Sequence, residues 1–346
     1  MDKNYNLVVN GNGNSYVGKA QLSVSLNDVV RTYGNATITS GGYSASNITG
    51  LVNGDSYDAS AITVNKTSDG AIDGVSGNRV TNDADDYTWS GTLTTENAAL
   101  KNNYKLELKG DGKSVVGKAT LNVGLSDVYR TYGNAKITNG SYSASNITGL
   151  VNGDSYDAGD VKVTVTGDGA LTGNTEGKVT NDAGKYEWTG SASTTNAGLG
   201  KNYNLVVTAN GKSDVTPAKL TFVVDDKTIT QGVPAEYTGK ANGLTNGDTL
   251  AGIGVGGYEL DSSVNPLIVG VYEDKIGVLI NGSLHLTGGD GLLKNYKVEI
   301  DPGTLTVLAS FNPADDYWFG TAPWDKERNL RERKAEFHYV AGGMSL

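Results

Sequence analysis

The sequence holds no cysteine in 346 residues. That single absence removes thiol nucleophiles, disulfide scaffolds and thiolate-ligated zinc. It is compatible with export, where stray thiols are a liability. Histidine is nearly absent as well: His285 and His338 lie in different segments, with no acidic or nucleophilic motif beside either. No Gly-x-Ser-x-Gly elbow, Walker motif or dinucleotide fingerprint is present. The chain therefore reads as a non-enzyme that calls for no cofactor. No run of about 18 apolar residues occurs, so no membrane-spanning helix is expected. The opening Met1-Asp-Lys-Asn-Tyr5 lacks the basic head and apolar stretch of a signal peptide. Positive charge is also scarce. The 28 Lys and Arg stand against 38 Asp and Glu, a formal charge of −10. That balance disfavours nucleic acid and an anionic membrane surface as partners.

What the chain has in excess is turn chemistry, with 48 Gly and 33 Asn. With only 37% hydrophobic residues, thin strand-rich modules fit better than large multi-layer cores. The length alone allows two or three domains. Internal repeats decide between them. Arg31-Thr-Tyr-Gly-Asn-Ala36 returns as Arg130-Thr-Tyr-Gly-Asn-Ala135, a period of 130 − 31 = 99 residues. SASNITGLVNGDSYDA runs unchanged from Ser44 to Ala59 and again from Ser143 to Ala158. Trp89 and Trp188 keep the same phase. A diverged third copy aligns Leu220 with Leu121 and Gly232 with Gly133, then contracts, so that Gly149-Leu-x-Asn-Gly-Asp154 reappears as Gly243-Leu-x-Asn-Gly-Asp248. A Lys-Asn-Tyr box ends at Tyr5, Tyr203 and Tyr296, with Asn-Asn-Tyr at Tyr104.

Within a repeat the grammar is β. Short alternating or β-branched runs such as Ala119-Thr-Leu-Asn-Val123 are separated by Asn-Gly and Asp-Gly pairs. Those pairs tolerate the positive φ of tight turns. The expected architecture is all-β: three tandem modules of sandwich or β-grasp type, with six to nine strands each. A period this long argues against solenoid coils that share one core, so separate beads arranged end to end as a rod are expected. The boundaries read as 1–18, a closing strand of a preceding repeat; 19–117, 118–216 and 217–309, the three modules; and 310–346, a tail. Four boxes around three units suggest a fragment of a longer array. In the tail, the mixed charges from Asp325 to Phe337 predict one short helix.

The order Tyr132-Gly133, Gly149-Leu150, Asn152-Gly-Asp154, Tyr156-Asp-Ala-Gly159, Gly184-Lys-Tyr186 and Lys201-Asn-Tyr203 resembles the bacterial MBG/YDG-type repeat. The resemblance spans about Lys3 to Val307. The third copy departs from it, with Gln231 before Gly232 and Thr249-Leu-Ala251 in place of Tyr-Asp-Ala. Such modules recur in filamentous-haemagglutinin-like adhesins exported by two-partner secretion. The resemblance implies a non-enzymatic protein secreted to the surface of a Gram-negative cell, a stalk for adhesion and biofilm cohesion. Its implied partners are an exopolysaccharide or a host or abiotic surface. The tail would engage the outer-membrane transporter.

Candidate contact residues follow from what does not repeat. Tyr33/132, Tyr43/142, Tyr57/156, Tyr87/186 and Trp89/188 recur, which marks them as folding residues. Tyr317, Trp318, Phe319 and Trp324 fall outside the array and are the candidate ligand-contact or anchor residues, with Tyr16 and Tyr129 as further exposed-aromatic candidates. Asp83, Asp85, Asp86, Asp225 and Asp226 resemble a hard-oxygen Ca²⁺ set, but the second copy has Gly184-Lys185 where the first has Asp85-Asp86. Solvated turns are the preferred reading, and no metal site is expected. Two alternatives to the adhesive stalk remain: a carbohydrate-binding array, and an inert spacer retained by its tail.

Overall fold

The computed structural model describes residues 8–173 and 178–310. The backbone divides into two compact units, Met1–Thr216 and Pro217–Leu346. Residues 8–19 form no strand. The box at Tyr5 lies outside the described residues. The tail from Phe311 to Leu346, including the expected helix, lies outside the described residues.

The first repeat consists of β1 (Ala20–Leu26), β2 (Val29–Thr32), β3 (Ser40–Gly41), β4 (Ala45–Thr49), β5 (Thr63–Asp69), β6 (Asp85–Thr94), β7 (Tyr104–Leu108) and β8 (Gly112–Gly117). In β1 the alternation is direct: Leu22, Val24 and Leu26 are buried while Gln21, Ser23 and Ser25 are not. The strands form two sheets, in the orders β4-β1-β7 and β3-β2-β8-β6-β5. β1 runs parallel to β7, with Ala20 opposite Tyr104. β2 likewise runs parallel to β8, with Val29 opposite Ser114. Parallel neighbours need a long crossover, and the intervening chain with β3 to β6 supplies it. The first and last strands of the repeat thus lie side by side in both sheets.

The second repeat copies this plan. One sheet orders Ala144–Thr148, Ala119–Leu125 and Tyr203–Val207; the other orders Asn139–Gly140, Val128–Thr131, Gly211–Thr216, Glu187–Thr194 and Val161–Asp168. In the second unit, Gly239–Asn242, Ala218–Val224, Tyr296–Asp301 and Gly289–Leu293 form one sheet. Lys227–Thr230, Gly303–Leu308, Gly270–Ile280 and Val255–Leu260 form the other, and Ser283–His285 pairs with Gly270–Ile280.

Two short helices were not legible in the sequence: α1 (Ala98–Asn103) and α2 (Ala197–Asn202), each ending on the box tyrosine. Asn97 caps Leu100 N, and Asn196 caps Gly198 N and Leu199 N. Six residues carry too little periodicity to announce a helix, and Gly198 and Gly200 weaken the second further. The Asn-Gly turns keep both residues at positive φ, 58° and 78° at Asn53-Gly54 and 59° and 73° at Asn152-Gly153. They close turns between irregular segments rather than strand hairpins.

Each sheet pair of the first unit encloses apolar clusters. Leu22, Val24, Ile62, Leu100 and Tyr104 form one in the first repeat, and Leu26, Val29 and Trp89 another. Leu125, Val128 and Trp188 repeat the second of these. Each such side chain contributes roughly 1.5–3 kcal/mol through burial. A fourth cluster corrects the expectation of separate beads. It joins Tyr33, Ala71 and Val116 of the first repeat to Leu121, Val123, Val161, Leu199 and Tyr203 of the second. The first two repeats share a core where they meet.

Candidate functional site: the junction of the first two repeats

The box tyrosines explain two motifs at once. The Tyr104 hydroxyl lies 2.7 Å from Asp55 Oδ2 and accepts from Val52 N at 3.1 Å. It therefore pins the turn around Asn53-Gly54. Tyr203 makes the same contacts with Asp154 at 3.0 Å and Val151 N at 2.9 Å. Tyr296 makes them with Asp248 at 2.9 Å and Thr245 N at 3.1 Å. The Lys-Asn-Tyr and Asn-Gly-Asp motifs recur together because they are two halves of one clamp. Burial first, then the Asp154 carboxylate, push the Tyr203 phenol up to about 12, although the Val151 amide opposes them.

At the junction this clamp gains a third member. Tyr33 of the first repeat also donates to Asp154 Oδ2, at 2.8 Å, and its ring meets Tyr203 edge-on with centroids 5.5 Å apart. Arg79 Nη2 donates to the Tyr33 hydroxyl at 2.9 Å and to Asp83 Oδ1 at 2.7 Å. Asn152 of the second repeat accepts from Val80 N at 2.8 Å and donates to Thr81 O at 3.1 Å. Asn202, at the end of α2, accepts from Ala84 N at 2.8 Å and donates to Asp83 Oδ1 at 3.0 Å. Hydrogen bonds from Asn202 and then Arg79 hold the Asp83 carboxyl below the usual range. Lys201 adds half-exposed ion pairs to Asp83 at 3.5 Å and Asp85 at 3.6 Å, which contribute little in solvent. Asp83 and Asp85, read from the sequence as possible cation ligands, are engaged here by side chains of the next repeat. Among the described residues no group of three or more His, Asp or Glu is arranged to hold a metal ion.

A second polar device lies inside each of the first two repeats. Arg31 is 2% exposed and Asp69 is fully buried, and their ion pair is 2.9 Å long. Arg31 also donates to Ala36 O at 3.0 Å, Ser114 Oγ at 3.1 Å and the Tyr43 hydroxyl. Ser114 and Tyr43 both donate to Asp69. Burial alone would raise the Asp69 carboxyl, but these hydrogen bonds, the Ala71 amide and Arg31 outweigh it and leave it lowered. Arg130, Asp168, Tyr142 and Ser213 repeat the network, with the ion pair at 3.0 Å. The third repeat replaces it. Trp188 faces Asp168 on one side and Gly211 on the other. Ile276 faces Leu260 and Gly303 in the same way. By that register, Ile229, Leu260 and Leu305 stand where Arg130, Asp168 and Ser213 stand in the second repeat.

Of the contact candidates read from the sequence, Tyr317, Trp318, Phe319 and Trp324 lie outside the described residues. Tyr16 is 87% exposed, and Tyr129 is half-buried on Val128–Thr131. Trp89, Trp188, Tyr33 and Tyr132 are core residues, whereas Tyr156 is exposed. The junction residues Arg79, Asn152 and Asn202 were missed by the sequence reading. Asn152 and Asn202 stood inside repeated motifs, but nothing local indicated that they face the preceding repeat. Among the described residues no helix is long and apolar enough to cross a membrane.

No family model and no curated protein matches the chain. A solved structure with a partial likeness is the EC1–4 segment of Drosophila N-cadherin, at 9% identity, covering 84% of this chain and 73% of that one. Its TM-score of 0.25 is too low to bear on fold or function.

Proposed function

We propose that this chain is a stalk segment of a large secreted bacterial adhesin, built from MBG/YDG-type repeats and acting at the cell surface without catalysis. The observation that carries this reading is the parallel pairing of the first and last strands of each repeat. Tension enters a repeat at the start of β1 and leaves at the end of β8. It pulls β1 and β2 backward while pulling β7 and β8 forward. Parallel neighbours dragged in opposite directions load all their hydrogen bonds together in shear, whereas an antiparallel pair pulled from one end opens bond by bond. A stalk that holds a cell against flow needs that resistance. The Tyr33–Asp154 junction adds stiffness between the first two repeats. Adhesion then arises from many weak contacts adding by avidity. The charge of −10 keeps neighbouring stalks apart until a polysaccharide or cation bridges them.

The cysteine-free chain allows the test. Single-molecule force spectroscopy through the termini is compared with pulling through Asn65→Cys and Thr92→Cys, which sit opposite each other on β5 and β6. The reading expects a clearly higher rupture force through the termini. Equal forces would remove its mechanical basis. Cells displaying the chain should also resist detachment from a polysaccharide-coated surface under flow, and unchanged detachment would remove the adhesive role.

A further inference from the structure

The face with which the second repeat receives the first has an exposed counterpart on the first repeat. In the second repeat that face consists of Val151, Asn152 and Asp154 around the Asn-Gly turn and Asn202 at the end of α2. The first repeat carries Val52, Asn53, Asp55 and Asn103 at the same places. Both turns are held alike. Asp55 N donates to Val52 O at 3.1 Å and Asp154 N to Val151 O at 3.0 Å. Each aspartate also accepts from its own box tyrosine. What differs is occupancy. Asn202 is 4% exposed and Asn152 is half-buried, whereas Asn103 and Asn53 are exposed. Val151 packs on the shared core, but Val52 is 45% exposed. Among the described residues no hydrogen bond reaches the side chain of Asn53 or Asn103. Asp55 holds one tyrosine where Asp154 holds two.

Residues 8–18 point to what fits there. Gly13, Ser15, Val17 and Gly18 stand where Gly112, Ser114, Val116 and Gly117 stand on β8, at the same offset of 112 − 13 = 99. In β8 the interior explains the first three residue types. A Cβ on Gly112 would lie 2.3 Å from Trp89 Nε1. Ser114 Oγ joins Arg31 to Asp69, and Val116 is 2% exposed in the shared core. Gly13, Ser15 and Val17 repeat that pattern with no interior to face. Val8, Val9, Tyr16 and Val17 are 71% to 98% exposed, a cluster of strand-forming residues without a sheet. The step into the next repeat is copied as well. Lys19 Nζ donates to Lys101 O at 2.6 Å, as Lys118 Nζ donates to Gly200 O at 2.6 Å. A strand ending at Gly18 thus leads into the same join that follows Gly117 at the known junction.

We propose that Val52, Asn53, Asp55 and Asn103 form a docking surface for another repeat of the same kind, one whose closing strand is residues 13–18. The partner brings a tyrosine hydroxyl to Asp55, a glycine that lets Val52 approach, and a Thr-Asn-Asp-Ala loop whose backbone meets Asn53 and Asn103. In the known junction Tyr33 serves Asp154, and Thr81 and Ala84 serve Asn152 and Asn202. Gly34 makes room for Val151, since a Cβ there would lie 2.2 Å from Val151 Cγ2. Two amide side chains and a carboxylate with a free lone pair suit such a backbone-rich loop. They gain little from an apolar partner that would leave them unpaired. The join at Gly18-Lys19 tethers the partner, so a small interface closes as an intramolecular contact. This docking does not depend on what the stalk adheres to.

Hydrogen exchange tests both halves of the proposal. Residues 50–59 and 149–158 are identical in sequence, and peptides 50–62 and 149–161 differ only beyond them. In the full chain the turn in 50–62 should exchange on the order of ten-fold faster than its copy in 149–161. Equal rates would mean that the face is not open, and would overturn the proposal. The full chain is then compared with an extended one, in which a copy of residues 19–106 takes the place of residues 1–7 ahead of Val8. Exchange should slow in peptides covering 8–18, and in 50–62 it should fall to the rate of 149–161. Asn53→Gly/Asn103→Ala in the original first repeat of the extended chain should restore fast exchange in 50–62 and leave 8–18 protected. Unprotected 8–18 would overturn the closing-strand assignment and the proposal with it. Protection of 8–18 without protection of 50–62, or protection of 50–62 that survives the double substitution, would overturn the docking surface.

Discussion

Tyr33 in the first repeat donates to Asp154 Oδ2 in the second at 2.8 Å, across 121 positions of sequence. The same oxygen receives Tyr203 at 3.0 Å. One carboxylate thus closes its own turn and holds the neighbouring repeat, so a folding motif doubles as a coupling device.

Tyr33→Phe deletes one donor and leaves Asp154 paired with Tyr203 and Arg79 paired with Asp83. The expected cost is about 1 kcal/mol, read from urea unfolding of the full chain followed by tryptophan fluorescence. Asp154→Asn should cost more because it weakens both contacts. A double-mutant cycle between the two should be non-additive by roughly 0.5 kcal/mol or more. Strict additivity would show that the pair is not coupled.

Gly34 sits at φ 77°, and an added Cβ would lie 2.2 Å from Val151 Cγ2 and 2.4 Å from its Cβ. Gly54, at φ 78°, has nothing within 4 Å. Both alanine variants share the backbone cost, and only the first adds a collision with the next repeat. Gly34→Ala should therefore be more destabilising than Gly54→Ala by on the order of 1–3 kcal/mol. Equal losses would mean that the junction yields without cost.

The third repeat supplies a natural replacement for the buried ion pair. Arg130→Ile alone strands Asp168 and should cost roughly 3–5 kcal/mol. Arg130→Ile with Asp168→Leu and Ser213→Leu, copying Ile229, Leu260 and Leu305, should recover most of that loss. Thermal unfolding of the single and triple variants decides it; a triple variant no better than the single would mean the apolar set works only in its own repeat.

Stability should fall away on both sides of a neutral plateau. Asp69 and Asp168 are lowered in the folded state. Their contribution is complete above the unfolded value of about 3.9 and is lost as pH falls through the folded values. Tyr43 and Tyr203 are raised from 10.0 to about 12, burial being the largest cause in each. Their contribution is complete below pH 10.0 and is lost as pH rises towards about 12. Tyr43→Phe/Tyr203→Phe should flatten the alkaline limb of the stability profile and leave the acid limb in place. An unchanged alkaline limb would assign it to other groups.

The all-β character, the turns at Asn53-Gly54 and Asn152-Gly153, and the recurrence of Trp89 at Trp188 were legible because they are local or copied properties. Alternation over a few residues announces a strand, and an Asn-Gly pair announces positive φ. The helices α1 and α2 escaped because so short a segment carries its signal in one asparagine cap. Repetition marked Tyr33, Tyr43 and Trp89 as folding residues without showing what each one binds.

The sequence by itself determined where the chain turns, how its apolar residues alternate and which segments are copies of one another. These depend on backbone preferences and side-chain periods within a few residues. Only the tertiary structure decided which copies touch. The parallel pairing of β1 with β7 and β2 with β8 brings the exit of the first repeat to its Tyr33 end, so the second repeat settles on that end. That placement joins Tyr33 to Asp154 and brings Asn202 of the second repeat beside Asp83 of the first. Strand order sets such contacts over distances that no local pattern records.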